Sequence, residues 1–257
     1  MNVPRVIPCL LTDGHSLVKT RQFADPTYVG DPVNVLSIFS ELEVDEIFLL
    51  DIGATRDGRA PNLDLVARVA EECIVPLAYG GGITTPEQVA RILDLGVEKV
   101  VVNSGWVDDP SLVQRSAERH GSQAVVVSID ARRTPQGHRV ATASGTIRHD
   151  VTPRDIARRA VALGAGELLV TSIDEDGMRS GYDLDLIASV SAAVDVPVVA
   201  CGGAGRREDL ATAVREGGAT AAAAGSIFVF YGVHRAVLIN FPSRAQVGRL
   251  LAAASIT

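Results

Sequence analysis

Two stretches of the sequence decide the fold: residues 76–82 read PLAYGGG and residues 197–203 read PVVACGG. They lie 121 residues apart. Shifting the chain against itself by that distance also aligns, without a gap, Glu46 with Glu167, Asp64-Leu65 with Asp185-Leu186, and Ser104-Gly105 with Gly225-Ser226. Solenoid repeats have periods of roughly 20 to 50 residues, whereas this period is close to half of the chain. The repeat therefore predicts two similar halves.

Each half contains four short apolar runs separated by amphipathic segments. The runs are continuous rather than alternating, as is typical of parallel strands buried on both faces, and they are residues 6–7, 47–50, 75–78, 100–102, 124–129, 168–170, 196–200 and 221–224. Helix starts are indicated at Asp31-Pro32, Thr85-Pro86, Asp109-Pro110 and Thr152-Pro153, and helix ends at Gly96, Gly121, Gly164 and Gly217. These units fit an open doubly wound sheet or a closed barrel, and the half-chain repeat favours the barrel. We predict one (β/α)8 TIM barrel with a two-fold half-barrel repeat, forming a single domain over residues 1–257.

The composition excludes several classes of partner. A formal charge of −7 and a pI near 5.2, with no cluster of Lys and Arg, argue against nucleic acid or an anionic membrane as the main partner. The apolar runs at residues 6–11 and 219–233 are too short for a signal peptide core and a membrane helix, so we expect a cytoplasmic protein. Cys9, Cys73 and Cys201 have no metal-ligand spacing and predict buried, reduced thiols, and no metal or cofactor is expected.

The glycine runs mark two candidate anion sites. They follow the third and seventh predicted strands, where glycine lets backbone amides approach an anion closely. A hydroxyl residue at the end of the next strand completes each site. The first phosphate station comprises Gly81, Gly82, Asn103 and Ser104, and the second comprises Gly202, Gly203, Gly225 and Ser226. One such run alone is as typical of a tight turn as of an anion site. Two runs separated by the repeat distance favour a ligand with a phosphate at each end.

Three carboxylates are candidates for chemistry between the stations. Asp130 ends the fifth predicted strand and is a candidate general acid or base, with a structural hydrogen-bonding role as the alternative. Asp51 and Asp176 occupy similar positions at the end of a strand or in the loop that follows. Both are weaker candidates, because acidic loop residues are usually only solvated.

Over nearly its full length the chain resembles the cyclase subunit of imidazole glycerol phosphate synthase, a barrel of the histidine pathway. The resemblance is carried by residues 80–83, 123–131, 171–177, 180–183 and 202–205. It implies a glutaminase subunit that docks on the N-terminal face of the barrel and releases ammonia. The ammonia travels through the barrel to a bisphosphorylated ribulosyl substrate at the other face, where two aspartates carry cyclisation and cleavage.

The resemblance assigns further residues and shows one departure. The second aspartate matches Asp130, but the first is expected after Cys-Leu at the end of strand 1, where this chain has Leu11. Asp13 could replace it through a shift of the loop. Lys19 matches the lysine of a mobile loop near the substrate. Four residues match a ring of alternating charges that gates the entry of ammonia, with a plain salt-bridge layer as the alternative: Arg5, Glu46, Lys99 and Glu167.

A paralogous branch of the family, found with surface-polysaccharide genes, gives the nearer resemblance. It is carried by residues 5–11, 17–20, 28–32, 51–56, 76–80 and 228–240, and His234 and Arg235 are interpreted as interface or capping residues. This resemblance implies a barrel that, with its glutaminase, passes ammonia to a separate amidotransferase that makes an acetamidino sugar. Two alternatives stay open: an authentic cyclase and lyase of histidine biosynthesis, and a non-catalytic scaffold that binds phosphate.

Overall fold

The computed structural model describes residues 4–232 and 234–253, and its centre is a closed parallel barrel. The eight barrel strands are β1 (Arg5–Thr12), β2 (Ile47–Asp51), β3 (Leu77–Gly80), β4 (Lys99–Val102), β5 (Val125–Thr134), β6 (Glu167–Ser172), β7 (Val198–Cys201) and β8 (Ala221–Ala224). Each strand pairs in parallel with the next, and β8 closes the barrel on β1 with Arg5 opposite Ala221. The predicted (β/α)8 barrel is confirmed, with all eight strands near their predicted places.

Helices cover the outside of the barrel. They are α1 (Pro32–Glu41), α2 (Leu63–Glu72), α3 (Pro86–Asp94), α4 (Ser111–His120), α5 (Pro153–Ala162), α6 (Leu184–Ser191), α7 (Arg207–Arg215) and α8 (Arg244–Ala253), with short helices at Ser104–Asp108 and Ser226–Val229. No helix among the described residues is long and apolar enough to span a membrane.

Most of the predicted helix boundaries are confirmed. The side chains of Asp31, Thr85 and Thr152 each accept a hydrogen bond from a backbone N–H in the first turn, and each is followed by proline. The prediction at Gly217 is wrong by one residue, because the left-handed conformation that ends α7 belongs to Gly218, with φ +69°.

Side chains alternate between the barrel interior and the helices. On β1, Ile7 and Cys9 point inward, where they pack against Phe48 and Leu169, while Val6 and Leu10 pack under the helices. The interior is therefore a packed apolar core, and only its two ends carry polar groups. The prediction for the thiols holds in part, since all three are free but only Cys9 is fully buried.

Three β-hairpins rise from the carboxyl-terminal end of the barrel, and the sequence analysis did not predict them. The first hairpin pairs Leu17–Arg21 with Ala24–Gly30. The second pairs the extended end of β5 with Gly137–Thr142, and the third pairs Phe230–Tyr231 with Ala236–Val237. The first and second hairpins follow β1 and β5, the strands that the repeat aligns. The half-barrel repeat itself stays a prediction.

Candidate functional site

A cleft lies at the carboxyl-terminal ends of the strands, and the hairpins flank it. Every residue predicted for catalysis, for the two phosphate stations or for the substrate loop lines this cleft, and so does Leu11. The lining comes from all eight strands or the loops that follow them. In parallel α/β folds this is the end at which ligands bind, so the predicted residues share one candidate ligand cleft.

Asp130 is a buried carboxyl group of the cleft that the sequence predicts for catalysis. Its Oδ2 accepts a hydrogen bond of 2.7 Å from Asn103 Nδ2, and its Oδ1 accepts one of 3.1 Å from Ser128 Oγ. Burial raises the pKa of this carboxyl to about 7, with a smaller contribution from the charge of Asp176, although the two hydrogen bonds oppose the shift. A carboxyl with such a pKa can give or take a proton near neutral pH.

Asn103 has a different principal contact from the predicted one. One proton of its side-chain amide is donated to Asp130, which orients the Asp130 carboxylate. The predicted role of Asn103 as a phosphate ligand of the first station stays untested. The hydroxyl of Ser104 accepts a hydrogen bond of 2.9 Å from the N–H of Ala143 and retains its own proton for a ligand.

Asp51 is held by four donors. Its carboxylate accepts hydrogen bonds from the N–H groups of Gly53 and Ala54, and both of its oxygens accept from the guanidinium of Arg59. These four donors engage both carboxylate oxygens and tie the side chain to the loop after β2. The geometry supports a role in organising the loop after β2, and catalysis by Asp51 stays an untested prediction.

Asp176 joins the loop after β6 to the first hairpin. Its Oδ2 accepts a hydrogen bond of 2.7 Å from Thr20 Oγ1 and one of 3.4 Å from the N–H of Phe23, and its carbonyl accepts one from Gln22 N. Burial raises the pKa of Asp176, although Thr20, Lys19 and Phe23 favour the charged form. These contacts keep the hairpin folded against the cleft.

Lys19 enters the second phosphate station from the first hairpin. The side chain is buried, and its Nζ donates a hydrogen bond of 2.5 Å to the carbonyl of Cys9. A Cβ atom at position 225 would collide with this ammonium group, so Gly225 is required for Lys19 to reach the station. The ammonium group places a positive charge beside Gly225, and phosphate binding at this station stays a prediction.

The first station is shaped by a close approach of two backbones. Gly81 has a φ of +125°, and a Cβ atom at this position would lie 2.5 Å from the carbonyl oxygen of Asp51. No residue other than glycine fits both the dihedral angle and the space. The turn after β3 therefore depends on glycine, as its predicted role requires.

The strand-1 position of the cleft carries no proton-transfer group. Leu11 lines the cleft at the end of β1, in register with Leu50. Asp13 is exposed, does not line the cleft, and accepts hydrogen bonds from the N–H groups of His15 and Ser16 within its own turn. The suggestion that Asp13 replaces the missing aspartate is therefore wrong.

Sequence reasoning missed several residues of the cleft. Thr20 and Phe23 reach it from the first hairpin, Ser144 reaches it from the turn after Gly137–Thr142, and Thr171 and Cys201 lie near the ends of β6 and β7. The position of Cys201 just before the second glycine run was a usable signal. No local pattern marked the hairpin residues, because their placement depends on contacts with distant loops.

The opposite end of the barrel is closed by four charged side chains. Arg5 is paired with both Glu46 and Glu167, and Lys99 Nζ lies 2.7 Å from Glu46 Oε1 and 2.8 Å from Glu167 Oε2. Both glutamates are almost completely buried, and burial raises the pKa of Glu46 against the opposing effect of Lys99. The structure thus brings the four predicted gate residues together as one ring, which we call the charged ring.

The closed parallel barrel and its cleft define a (β/α)8 barrel with a ligand site at the carboxyl ends of the strands. Comparison with known proteins makes the class more specific. Residues 5–234 match the model of the family described as histidine biosynthesis protein. The chain belongs to this family, as a barrel of the HisF type.

Its relatives carry names from one enzyme complex. The chain is 48% identical over 239 residues to a protein of Pseudomonas aeruginosa, and the alignment covers 93% of this chain and 95% of the relative. The name of that relative marks it as a provisional imidazole glycerol phosphate synthase subunit, hisF2. It is 44% identical over 226 residues to the imidazole glycerol phosphate synthase subunit HisF of Hyphomonas neptunium, covering 88% and 90%. A similarly provisional HisF of Leptospira interrogans is 44% identical over 243 residues, covering 94% and 96%.

Proposed function

We propose that this chain is a HisF-type barrel that receives ammonia from a glutaminase subunit and passes it to a separate sugar amidotransferase of surface-polysaccharide biosynthesis. The observation that carries the proposal is Leu11. Cyclisation in this family requires two aspartates, and a leucine side chain can neither donate nor accept a proton. Asp13, the nearest carboxylate in sequence, faces solvent and is held in its own turn. The cleft is therefore suited to holding a ligand rather than to the complete cyclase reaction.

The barrel interior supports a passage for a neutral molecule. Above the charged ring the interior side chains are apolar, with Ile7, Phe48 and Leu169 in the lower layers and Leu11 and Leu50 nearer the cleft. Neutral ammonia can cross such a layer far more readily than ammonium, because a charge is costly to transfer into an apolar medium. A passing molecule must displace part of the ring, so the ring would act as a gate.

The N-terminal face of the barrel supports the docking of a glutaminase. Four large apolar side chains are exposed there, on the last turn of α1 and on the segments that follow α1, α2 and α3: Ile38, Leu42, Ile74 and Leu95. Ile74 is 83% exposed. Exposed apolar groups collected at one end of a protein are typical of an interaction surface. This surface lies beside the charged ring, at the end of the barrel where ammonia would enter.

Asp130 and the two stations favour the second candidate, an authentic cyclase and lyase acting on a bisphosphorylated ribulosyl substrate. The pKa of about 7 suits Asp130 to general acid or base catalysis. A third candidate, a scaffold that only binds a phosphorylated small molecule, needs the stations but neither Asp130 nor the passage.

Complementation separates the first two candidates. The chain is expressed together with its glutaminase in a histidine auxotroph that lacks the cyclase. We expect no growth without histidine, because the strand-1 aspartate is absent. Growth would contradict the proposal and establish the cyclase. Glutamine hydrolysis by the co-purified glutaminase tests the third candidate, since a scaffold neither binds nor stimulates this partner.

The variant Leu11→Asp tests whether this single position prevents the cyclase reaction. We expect it to gain measurable ammonia-dependent cyclisation, because Asp130, Lys19 and both stations are already in place. Leu11→Asn has a similar size and polarity without an acid, and it serves as the matched control. If neither variant gains activity, the substrate site differs from that of a cyclase at more than one position.

A further inference from the structure

The exposed large apolar side chains of the described residues occur only at the two ends of the barrel. Four lie at the N-terminal face, as described above. The other six lie on the hairpins and loops around the cleft: Tyr28, Ile147, Met178, Tyr231, Val237 and Leu238. We call these six residues the rim patch. Burial of these side chains would stabilise the fold, so their exposure at one end of the barrel favours contact with another molecule.

The segments that carry the rim patch are joined to one another. The first hairpin contacts the loop after β6 through Asp176 and through Arg21, whose Nη2 lies 3.7 Å from Met178 Sδ. The tip of the first hairpin meets the turn that follows Gly137–Thr142, since a Cβ atom at Gly145 would lie 3.3 Å from the ring of Phe23. The rim patch therefore stands on a connected collar around the cleft.

The third hairpin is anchored by Arg235 and Asn240 although several of its side chains are exposed. Arg235 donates a hydrogen bond of 3.2 Å to the carbonyl of Gly177, and its guanidinium lies 5.6 Å from the centre of the Phe230 ring. At the base, the side-chain amide of Asn240 donates to the carbonyls of Ile227, Phe228 and Leu238. These contacts tie the third hairpin to the loop after β6 and to the short helix Ser226–Val229, so its exposed apolar side chains stand beside those of the other segments.

The composition of the collar fits a protein partner. Tyr, Met and Arg are enriched in protein interfaces, and the collar exposes Tyr28, Tyr231 and Met178 beside the arginines Arg21 and Arg148. Neither arginine has an ion pair among the described residues. A matching surface would therefore be apolar at its centre and carry carboxylates opposite these two arginines.

We propose that the rim patch docks the enzyme that accepts ammonia, so that this partner covers the cleft while the glutaminase covers the opposite end. The inference rests on the function proposed above. Ammonia that leaves an open cleft is protonated by water and ceases to be a nucleophile, so transfer requires a dry seal between the two proteins. The rim patch lies on the segments after β1, β5, β6 and β8, beside the opening through which the ammonia would leave, and apolar contacts there would exclude water.

The test uses the purified chain, its cognate glutaminase and an ammonia-dependent sugar amidotransferase from the same organism. The rim variant is Val237→Asp with Leu238→Asp, and the matched control is Ile74→Asp at the opposite end. Sedimentation velocity measures assembly, and product formation is measured with glutamine and, separately, with an ammonium salt. Thermal unfolding and glutaminase binding confirm that the rim variant is folded.

We expect the rim variant to lose association with the amidotransferase and to lower glutamine-driven amidation by about tenfold or more, as is usual for the central residues of an interface. Amidation from the ammonium salt and binding of the glutaminase should not change. Ile74→Asp should show the converse, with loss of the glutaminase and retention of the amidotransferase.

Two results would overturn the docking proposal. One is unchanged association and unchanged amidation in the rim variant. The other is a dimer of the unmodified chain that the rim substitutions dissociate, because the patch would then bind a second copy. A third result separates the two proposals. If the amidotransferase binds through the rim patch but the unmodified chain gives no product from glutamine, the docking proposal is supported and the proposed transfer of ammonia is wrong.

Discussion

At the scale of single residues, burial of the Asp130 carboxyl suits it to proton transfer but lowers the stability of the folded protein. Its pKa of about 7 means that the folded protein holds a proton on this carboxyl that the unfolded chain has already released above pH 4. The group does not affect stability below pH 4. Between pH 4 and pH 7 it lowers stability increasingly as the pH rises, and the full penalty is present above pH 7.

Asp130→Asn should therefore stabilise the protein at pH 8 and leave it almost unchanged at pH 4. We expect a gain of roughly 2 to 4 kcal/mol at pH 8, because the amide keeps the shape of the side chain and removes the buried charge. Urea unfolding at the two pH values measures the difference. A variant that is equally destabilised at both would show that the hydrogen bonds from Asn103 and Ser128 outweigh the charge.

The positions of Asp130 and Leu11 were predictable, whereas the environments of Asp51 and Asn103 were not. The apolar run at residues 124–129 located Asp130 at the end of a parallel strand, and the family resemblance located Leu11 at the end of strand 1. Asp51 also ends a strand, but its role depends on Arg59, eight residues later in an irregular loop. Asn103 depends on a carboxylate from the next strand. Such partners are set by tertiary structure and leave no local sequence pattern.

At the scale of structural elements, the first hairpin is closed by contacts rather than by its own turn. Gln22 and Phe23 at its tip have φ angles of +52° and +66°, which are strained for residues other than glycine. No glycine marks the turn, which is why the sequence did not predict the hairpin. The bonds from Thr20, Gln22 and Phe23 to Asp176 offset the strain, so the hairpin should open when they are lost.

Asp176→Ala should release the first hairpin. We expect trypsin to cut at Lys19 or Arg21 about tenfold faster or more, since the lost hydrogen bonds to a carboxylate are each worth roughly 1.5 to 3 kcal/mol. Mass spectrometry of timed digests identifies the site of cleavage. Thr27→Ala, on the exposed strand of the same hairpin, is the matched control. Equal protection in both variants would show that other contacts hold the hairpin closed.

The start of α6 provides a second prediction at this scale, through Asp183. The Oδ1 of this residue caps the helix by accepting a hydrogen bond from Leu186 N, and its Oδ2 accepts from His138 and Arg133. Burial would raise the pKa of Asp183, but these donors outweigh it and lower the pKa to about 2. The ionised group therefore stabilises the fold above pH 4, and that contribution is lost as the pH falls toward 2.

Asp183→Asn should cost roughly 2 kcal/mol in the free energy of unfolding at pH 6, with a smaller difference at pH 3. Denaturant titrations of both proteins at these two pH values measure the change. Asp185→Asn, in the first turn of the same helix, should have little effect at either pH. A difference for Asp183→Asn that does not depend on pH would assign its role to capping geometry rather than to charge.

At the scale of the whole molecule, the fold separates the two ends of the barrel by a packed apolar interior. The order of strands and helices was predictable because parallel strands buried on both faces leave a strong composition signal, and the half-chain repeat favoured closure of the sheet. The charged ring was predicted only through a resemblance. Its members are up to 162 residues apart in the chain, and only the closed barrel brings them into contact.

Lys99→Met tests whether the charged ring controls passage or only closes the barrel. The variant leaves Glu46 and Glu167 with Arg5 alone. Removing one partner of a buried ion pair costs roughly 3 to 5 kcal/mol in the free energy of unfolding. We expect a smaller cost here, because the side chain of Lys99 is 19% exposed. If the ring is a gate, the ratio of amidated product to glutamine consumed should fall, because ammonia escapes through the loosened end.

Lys99→Arg keeps the charge and is the matched control. Product and glutamate are measured in the same reaction, with the glutaminase and the amidotransferase present. A lower stability with an unchanged ratio would make the ring a structural salt-bridge layer.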